Sequence, residues 1–247
     1  VAVSNPHAGD VAATFCATLV DQWVRMGMRH AVVSPGSRST PLALAVTADD
    51  RVTVSVHHDE RSAAFMALGI AMATKVPAMV VTTSGTAAVE VHPAVVEAHH
   101  AGVPMLVCTA DRPTWLHGVG APQTINQTDL YGSSVRLFAE PGVPTADAAA
   151  QWRPLADSAM SAAMGPRPGP VHLNLAFDEP LVGTAGPLPA IGAAGDPDND
   201  DDDDAGAVID AGVLQMVARR VATGRGVIVA GGDIADPTGV MDLAAMV

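Results

Sequence analysis

Aromatic side chains are scarce: four Phe, three Trp and one Tyr among 247 residues. Ala, Val and Met must therefore fill the core, and a hydrophobic content of 49% supplies enough of them. Basic residues are few as well. Thirteen Lys and Arg stand against 26 Asp and Glu, a net charge of −13. That balance excludes the basic stripe that nucleic-acid binding needs. Much of the excess is local, because seven acids fall in the run Asp196 to Asp204. No uncharged apolar run reaches the roughly 18–20 residues that cross a bilayer. The first ten residues lack the basic start and apolar stretch of a secretory signal. Only two cysteines occur, Cys16 and Cys108, each among apolar neighbours and without metal or redox spacing. Buried free thiols in a soluble, cytoplasmic protein are the expectation.

Short apolar runs alternate with helical patterns, which predicts an α/β fold with a parallel sheet flanked by helices on both faces. Strands are expected at His30–Ser34, Val52–Val56, Ala78–Thr82, Met105–Thr109, Val135–Leu137 and Val171–Leu175. Helices are expected at Asp10–Met26, Arg61–Thr74, Thr86–Ala101 and Ala146–Met164. In the first, Val11, Phe15, Leu19, Trp23 and Met26 form a core-facing stripe, with Gly27 as its stop. Alternation in Val52–Val56 suggests a strand with one more polar face, near a sheet edge. One domain spans 1–182, and the Gly/Pro/Asp-rich stretch 183–205 reads as an acidic linker. From 206 a second α/β unit begins. Val208, Ile209, Val213, Val217 and Val221 form a helical stripe, and Gly226–Ala230 reads as a strand. One strand and two helices do not close a domain, so 206–247 is expected to be the start of something longer or to need a partner.

Three expected strand ends carry polar groups. Ser34-Pro35-Gly36-Ser37-Arg38 follows the first strand: Gly36 permits close backbone approach, and Arg38 offers a planar donor fork for carboxylate or phosphate. Glu60 closes the run His57-His58-Asp59 and opens a helix. By itself it reads as a helix-capping acid; beside the other loops it reads as a site carboxylate, since open α/β sheets bind ligands at strand carboxyl ends. Arg112 follows the strand Met105–Thr109 and aims at the same rim, with the loop Gly118–Gln127 beyond. Thr82-Thr83-Ser84-Gly85-Thr86 is a further loop that can hold an anion or simply cap a helix. Two guanidinium groups and one carboxylate suit a small ligand bearing carboxylates. Adjacent histidines (His57-His58, His99-His100) point to different faces and lack ligand spacing, so no metal site is expected from them. Gly224-Arg225-Gly226 precedes its strand, which rules out a dinucleotide fingerprint.

Taken in order, Ser34–Leu42, Asp59–Ala63, Thr82–Ala87, Ala110–Pro113 and Gly120–Ile125 closely resemble one family of thiamine-diphosphate carboligases. It is the 2-succinyl-5-enolpyruvyl-6-hydroxy-3-cyclohexene-1-carboxylate synthases of menaquinone biosynthesis. The likeness covers about residues 11 to 180, the pyrimidine-binding domain of that family, and the segment from about 206 looks like the start of its central domain.

The resemblance implies a decarboxylating transferase that adds the succinyl-semialdehyde unit of 2-oxoglutarate to isochorismate, using thiamine diphosphate and Mg2+. It implies that Glu60 is the cofactor-activating acid, bonded to N1′ of the aminopyrimidine, with Pro35, Gly36 and Gln123 beside the cofactor. Ser37, Arg38, Arg112 and Gln123 match positions around the isochorismate pocket. Pro122 departs from relatives that carry Asn there. No Gly-Asp-Gly motif for magnesium and diphosphate occurs, so the metal ligands are expected in a C-terminal domain this chain does not contain. In the family the cofactor lies between subunits of a homo-oligomer, a dimer or a dimer of dimers. This chain is therefore expected to hold half a site and to be inactive alone. Two other readings stand beside this one: a carboligase of the acetolactate synthase type, and a non-catalytic binding module that keeps the fold.

Overall fold

A computed structural model describes residues 7–191 together with Gly212, Gln215, Met216, Arg219, Arg220 and Met241. The chain divides into two units, Val1–Asp196 and Pro197–Val247. In the first, six strands form one sheet: β1 (His30–Val33), β2 (Thr53–Val56), β3 (Ala78–Thr82), β4 (Met105–Asp111), β5 (Phe138–Ala139) and β6 (Pro170–Ala176). They lie in the order β2-β1-β3-β4-β6-β5, and every pairing is parallel. The helices are α1 (Ala8–Arg25), α2 (Thr40–Ala48), α3 (Glu60–Thr74), α4 (Thr86–Glu90), α5 (His92–Ala101) and α6 (Trp152–Met164).

Both faces of the sheet are covered, which is why β3, β4 and β6 are buried at every position and are mostly apolar. On one face Phe15, Leu19 and Trp23 of α1 and Met160 of α6 pack over Val33, Val81, Cys108 and Leu173. The Trp23 indole N–H donates to the Ala156 carbonyl at 3.1 Å, tying α1 to α6. On the other face Ala63, Ala64, Ala67 and Ala71 of α3 meet Val32 and Val80, and Val95 and Ala98 of α5 lie in the same cluster. Alanine at four core positions of α3 lets the helix lie close to the sheet, so a dense core needs few aromatics. Cys16 and Cys108 are both buried free thiols, and burial pushes each up from the usual thiol range.

Four boundaries differ from expectation. The helix expected over 86–101 is two, parted at Val91, because Pro93 has no N–H to give to the Val89 carbonyl and its ring crowds that carbonyl. Likewise 146–151 is a 3-10 turn and the α-helix begins at Trp152, which leaves Pro154 in the first turn where no donor is required. The strand expected at Val135–Leu137 is found at Phe138–Ala139. Its backbone bonding to β6 begins earlier, with the Arg136 N–H donating to the Pro170 carbonyl and the His172 N–H to the Leu137 carbonyl. Met26 lies past the end of α1 and is exposed.

Of the stretch 183–205, the described part (183–191) has no regular secondary structure but runs against α1. The Thr184 N–H donates to Asp10 Oδ1 and the Gly186 N–H to Thr14 Oγ1. The remainder of that stretch, the stripe Val208, Ile209, Val213, Val217 and Val221, and the strand Gly226–Ala230 lie outside the described residues. Gly212, Gln215, Met216, Arg219, Arg220 and Met241 are helical. Among the described residues no helix is long and apolar enough to cross a membrane.

Candidate active site

From β1 the chain goes outward to β2 and then returns across β1 to β3, so the strand order reverses between β1 and β3. A crevice opens at the carboxyl ends where connections leave in opposite directions, and ligands of open α/β sheets sit there. Gly36 lines it with extended backbone. Any Cβ at that position would fall inside the Thr83 side chain, so the loops after β1 and β3 touch only because residue 36 is glycine. Pro35 and Ser37 are exposed at the crevice mouth.

Arg38, next along, is buried. Its Nη1 donates to the Phe177 carbonyl at 2.9 Å, and Nη2 lies 3.5 Å from Glu179 Oε1. Burial lowers its proton affinity, and the like charge of Arg112 lowers it further, against the opposing pull of Glu179, Asp178 and Asp111. Arg38 and Arg112 therefore share one electrostatic neighbourhood. Much of the Arg38 fork is already committed to its own chain.

At the end of β2 the division of labour between neighbouring acids is clear. Asp59, not Glu60, caps α3: its Oδ1 accepts the Ser62 N–H at 2.8 Å, and that bond is the main reason its carboxyl lies below the usual range. Glu60 is the first helical residue, half-buried, and among the described residues its carboxylate has no hydrogen-bond or ion-pair partner. The capping role is thus filled by its neighbour, and Glu60 is left uncommitted.

The loop after β3 and the segment after β4 interlock. Arg112 Nη1 donates to Ser84 Oγ at 2.5 Å and to the Gln123 carbonyl at 2.6 Å. Ser84 Oγ donates to that same carbonyl, and Gln123 Nε2 donates back to the Ser84 carbonyl at 2.9 Å. Gln123 sits at φ 57°, a conformation that side chains rarely adopt, and lies over Gly85 at φ 81°. All the guanidinium hydrogen bonds of Arg112 run through Nη1, leaving Nε and Nη2 without a hydrogen-bond partner among the described residues.

Beneath this rim lies a polar network that sequence reasoning missed. Asn174 accepts from Gln127 Nε2 and Thr109 Oγ1, and donates to Asp111 Oδ2 and Glu140 Oε1. Because the single Thr109 hydroxyl proton goes to Asn174, the 2.8 Å contact with His172 must carry the proton on Nε2 of the imidazole. His172 Nδ1 is then a buried acceptor with no donor. Burial holds His172 down at about 3. The available signal was Val171-His172-Leu173-Asn174-Leu175, where two polar side chains interrupt an apolar strand and share a face. A buried histidine with a depressed value destabilises the fold as pH drops below its unfolded value, near 6.5, until the folded value is passed. His172→Phe is therefore expected to flatten the loss of stability between pH 7 and 5, read by denaturant unfolding at both.

Across the sheet the order of strand ends is Glu60 (β2), Pro35–Arg38 (β1), Ser84–Gly85 (β3) and Arg112 (β4). Three strand spacings separate the acid from the second arginine, roughly 14 Å. Arg112 and Gln123 are in contact and Arg38 is near; Glu60 and Ser37 have no side-chain hydrogen bond among the described residues, and Pro35 lies along the same edge. The edge is an open rim. Cavities of about 520 and 470 Å3 lie elsewhere, between α1 and α2 and around Phe15 and Trp152, while one of about 770 Å3 lies just past the carboxyl ends of β4 and β6, lined by Trp115, Ala176 and Asp178. Among the described residues no group of three or more His, Cys, Asp or Glu is placed to hold a metal.

The parallel sheet with helices on both faces and a switch point between β1 and β3 has the architecture of a thiamine-enzyme pyrimidine-binding domain. Residues 13–130 match the thiamine pyrophosphate enzyme family's N-terminal TPP binding domain. Within that class the chain matches the 2-succinyl-5-enolpyruvyl-6-hydroxy-3-cyclohexene-1-carboxylate synthases. It is 57% identical over 173 residues to the synthase of Thermobifida fusca, covering 69% of this chain and 31% of that protein. With the synthase of Roseiflexus castenholzii it shares 50% over 179 residues (71% and 30%), and with that of Bacillus cytotoxicus 47% over 180 (72% and 31%). The chain thus spans about a third of the length of these relatives.

Proposed function

We propose that this chain supplies the pyrimidine-side half of the active site of a 2-succinyl-5-enolpyruvyl-6-hydroxy-3-cyclohexene-1-carboxylate synthase. The reaction forms a carbon–carbon bond between the carbonyl carbon of 2-oxoglutarate, which loses CO2, and isochorismate. When bound, thiamine diphosphate supplies the carbon nucleophile. The residues present fit that cofactor: Glu60 is a half-buried carboxylate with no partner among the described residues, at the end of β2. Its role is to hold a proton at N1′ of the aminopyrimidine, which shielding from water sustains. Pro35, Gly36 and Gln123 flank the ring. Arg112, with Nε and Nη2 uncommitted, grips a carboxylate of isochorismate, and Ser37, Arg38 and Gln123 complete the acceptor pocket.

What carries the reading is the uncommitted acid and the half-committed arginine standing on strand ends of one rim. Mg2+ and the diphosphate belong to a second domain of a homo-oligomer. In support, α3 turns Phe65, Gly69 and Met72 outward immediately after Glu60, an exposed apolar stripe at helical spacing that a second copy can cover.

The test supplies the diphosphate-binding half of a homologous synthase in trans, with thiamine diphosphate, Mg2+, 2-oxoglutarate and isochorismate. Arg112→Ala is expected to raise the isochorismate KM by roughly 10- to 100-fold, the value of a charged hydrogen-bonded pair. Cofactor affinity should stay within about twofold of wild type. Equal losses in both would remove Arg112 from the acceptor pocket.

A further inference from the structure

Gln127 touches none of the rim's open face, yet one loop and two strands meet on it. Its side chain is fully buried. Oε1 accepts the Gly85 N–H at 2.8 Å, while Nε2 donates to the Ala110 carbonyl at 3.1 Å and to Asn174 Oδ1 at 2.8 Å. One amide thereby ties the loop after β3 to the end of β4 and to β6. We propose that Gln127 is a positioning residue for the acceptor pocket, setting the direction of the Arg112 guanidinium through Gly85 and Ser84. This rests on the reading that Arg112 receives the acceptor.

Ser84 is the relay. It lies between Thr83, which is packed on Gly36, and Gly85, which Gln127 holds by its N–H. Its hydroxyl has one proton, given to the Gln123 carbonyl, so it receives Arg112 Nη1 as an acceptor. Movement of Gly85 therefore moves the atom that orients the guanidinium. The network also reaches Arg112 from behind: Asn174 Nδ2 donates to Asp111 Oδ2, and Asp111 Oδ1 accepts the Arg112 backbone N–H at 2.7 Å. Backbone and side chain of the arginine are thus fixed by one connected set of bonds. Without the Gln127 amide, the Gly85 N–H loses its acceptor, and the loop shifts to find another. A displacement of about 1 Å at a positioning group is enough to cost on the order of 100-fold.

Gln127→Met keeps the volume and removes every bond of the amide. In the complemented assembly the expected result is an acceptor KM raised about tenfold or more, with kcat reduced no more than threefold. The 2-oxoglutarate KM and cofactor affinity should stay within twofold. Ser84→Ala breaks the relay, so the double variant should cost no more than the worse single one. Additive losses, or equal losses in every parameter, would mark Gln127 as merely structural and overturn the proposal. On the chain alone, Gly85 amide exchange should quicken at least tenfold in Gln127→Met, and the Arg112 Nε–Hε resonance should move as it does in Ser84→Ala. Unchanged exchange and an unmoved resonance would overturn the proposal without reference to substrate. Should the assembly use a different acceptor, the same KM split is read on that acceptor, so the substrate reading can fail while Gln127 stands. Gln127→Glu, which keeps an acceptor for the Gly85 N–H, should fall between wild type and the Met variant and serves if the latter does not fold.

Discussion

Glu60→Gln should lower turnover of the complemented assembly by about 100- to 10,000-fold, the range for losing a positioned proton-transfer group. The amide keeps the size of the side chain and its place in the first turn of α3, but it cannot share a proton with a ring nitrogen. Stability should hardly change. Glu60 has no partner to lose among the described residues, and Asp59 continues to cap the helix through Ser62. The remaining cost is the carboxylate's attraction to the helix N-terminus, about 0.3–1 kcal/mol. Rate and stability are thereby separated, and a variant that loses both in proportion would place Glu60 in the scaffold.

Gly36→Ala should damage the protein at a single crossing point. The backbone there is extended, so alanine meets no conformational objection; its objection is the Thr83 side chain, which already fills the space. Overpacking of this kind costs about 1–3 kcal/mol, and more where backbone must move, which lowers Tm on the order of 5–10 °C for a domain of this size. Activity should fall further, because Thr83 precedes Ser84 and the displaced loop carries the Arg112 acceptor with it. Thr83→Gly in the same chain makes room and should restore most of the Tm, less about 0.5–1 kcal/mol for the added backbone freedom. If the double variant is no better than Gly36→Ala, the close approach is not what fixes this crevice.

The helices and strands that pack by simple periodicity were legible. Mostly apolar runs gave β3, β4 and β6, and alternation placed β2 at the sheet edge, where it is found. Proline grammar was under-read: Pro93 splits one expected helix and Pro154 shortens another, both by the missing N–H. Arg136 binds carbonyls about 31 to 37 residues distant, contacts that no local pattern encodes. The same holds at the rim. Arg38, Glu60 and Arg112 stood out by residue type at strand ends and Gln123 through the family resemblance, whereas Gln127 and Asn174 bind partners 17 to 65 positions away and looked like ordinary polar residues. The helix cap, by contrast, had a sequence signal, since Asp is a strongly preferred N-cap residue and Glu is not, which favours Asp59.

Carboxyl-carbon NMR of Glu60 in the complemented assembly, followed while thiamine diphosphate is added, bears most directly on the half-site. The Glu60 signal should shift with saturation at the cofactor's own affinity, and Glu60→Gln should remove that signal and no other. Cofactor that binds while Glu60 stays unmoved would leave the acid outside the site and end the case for this rim.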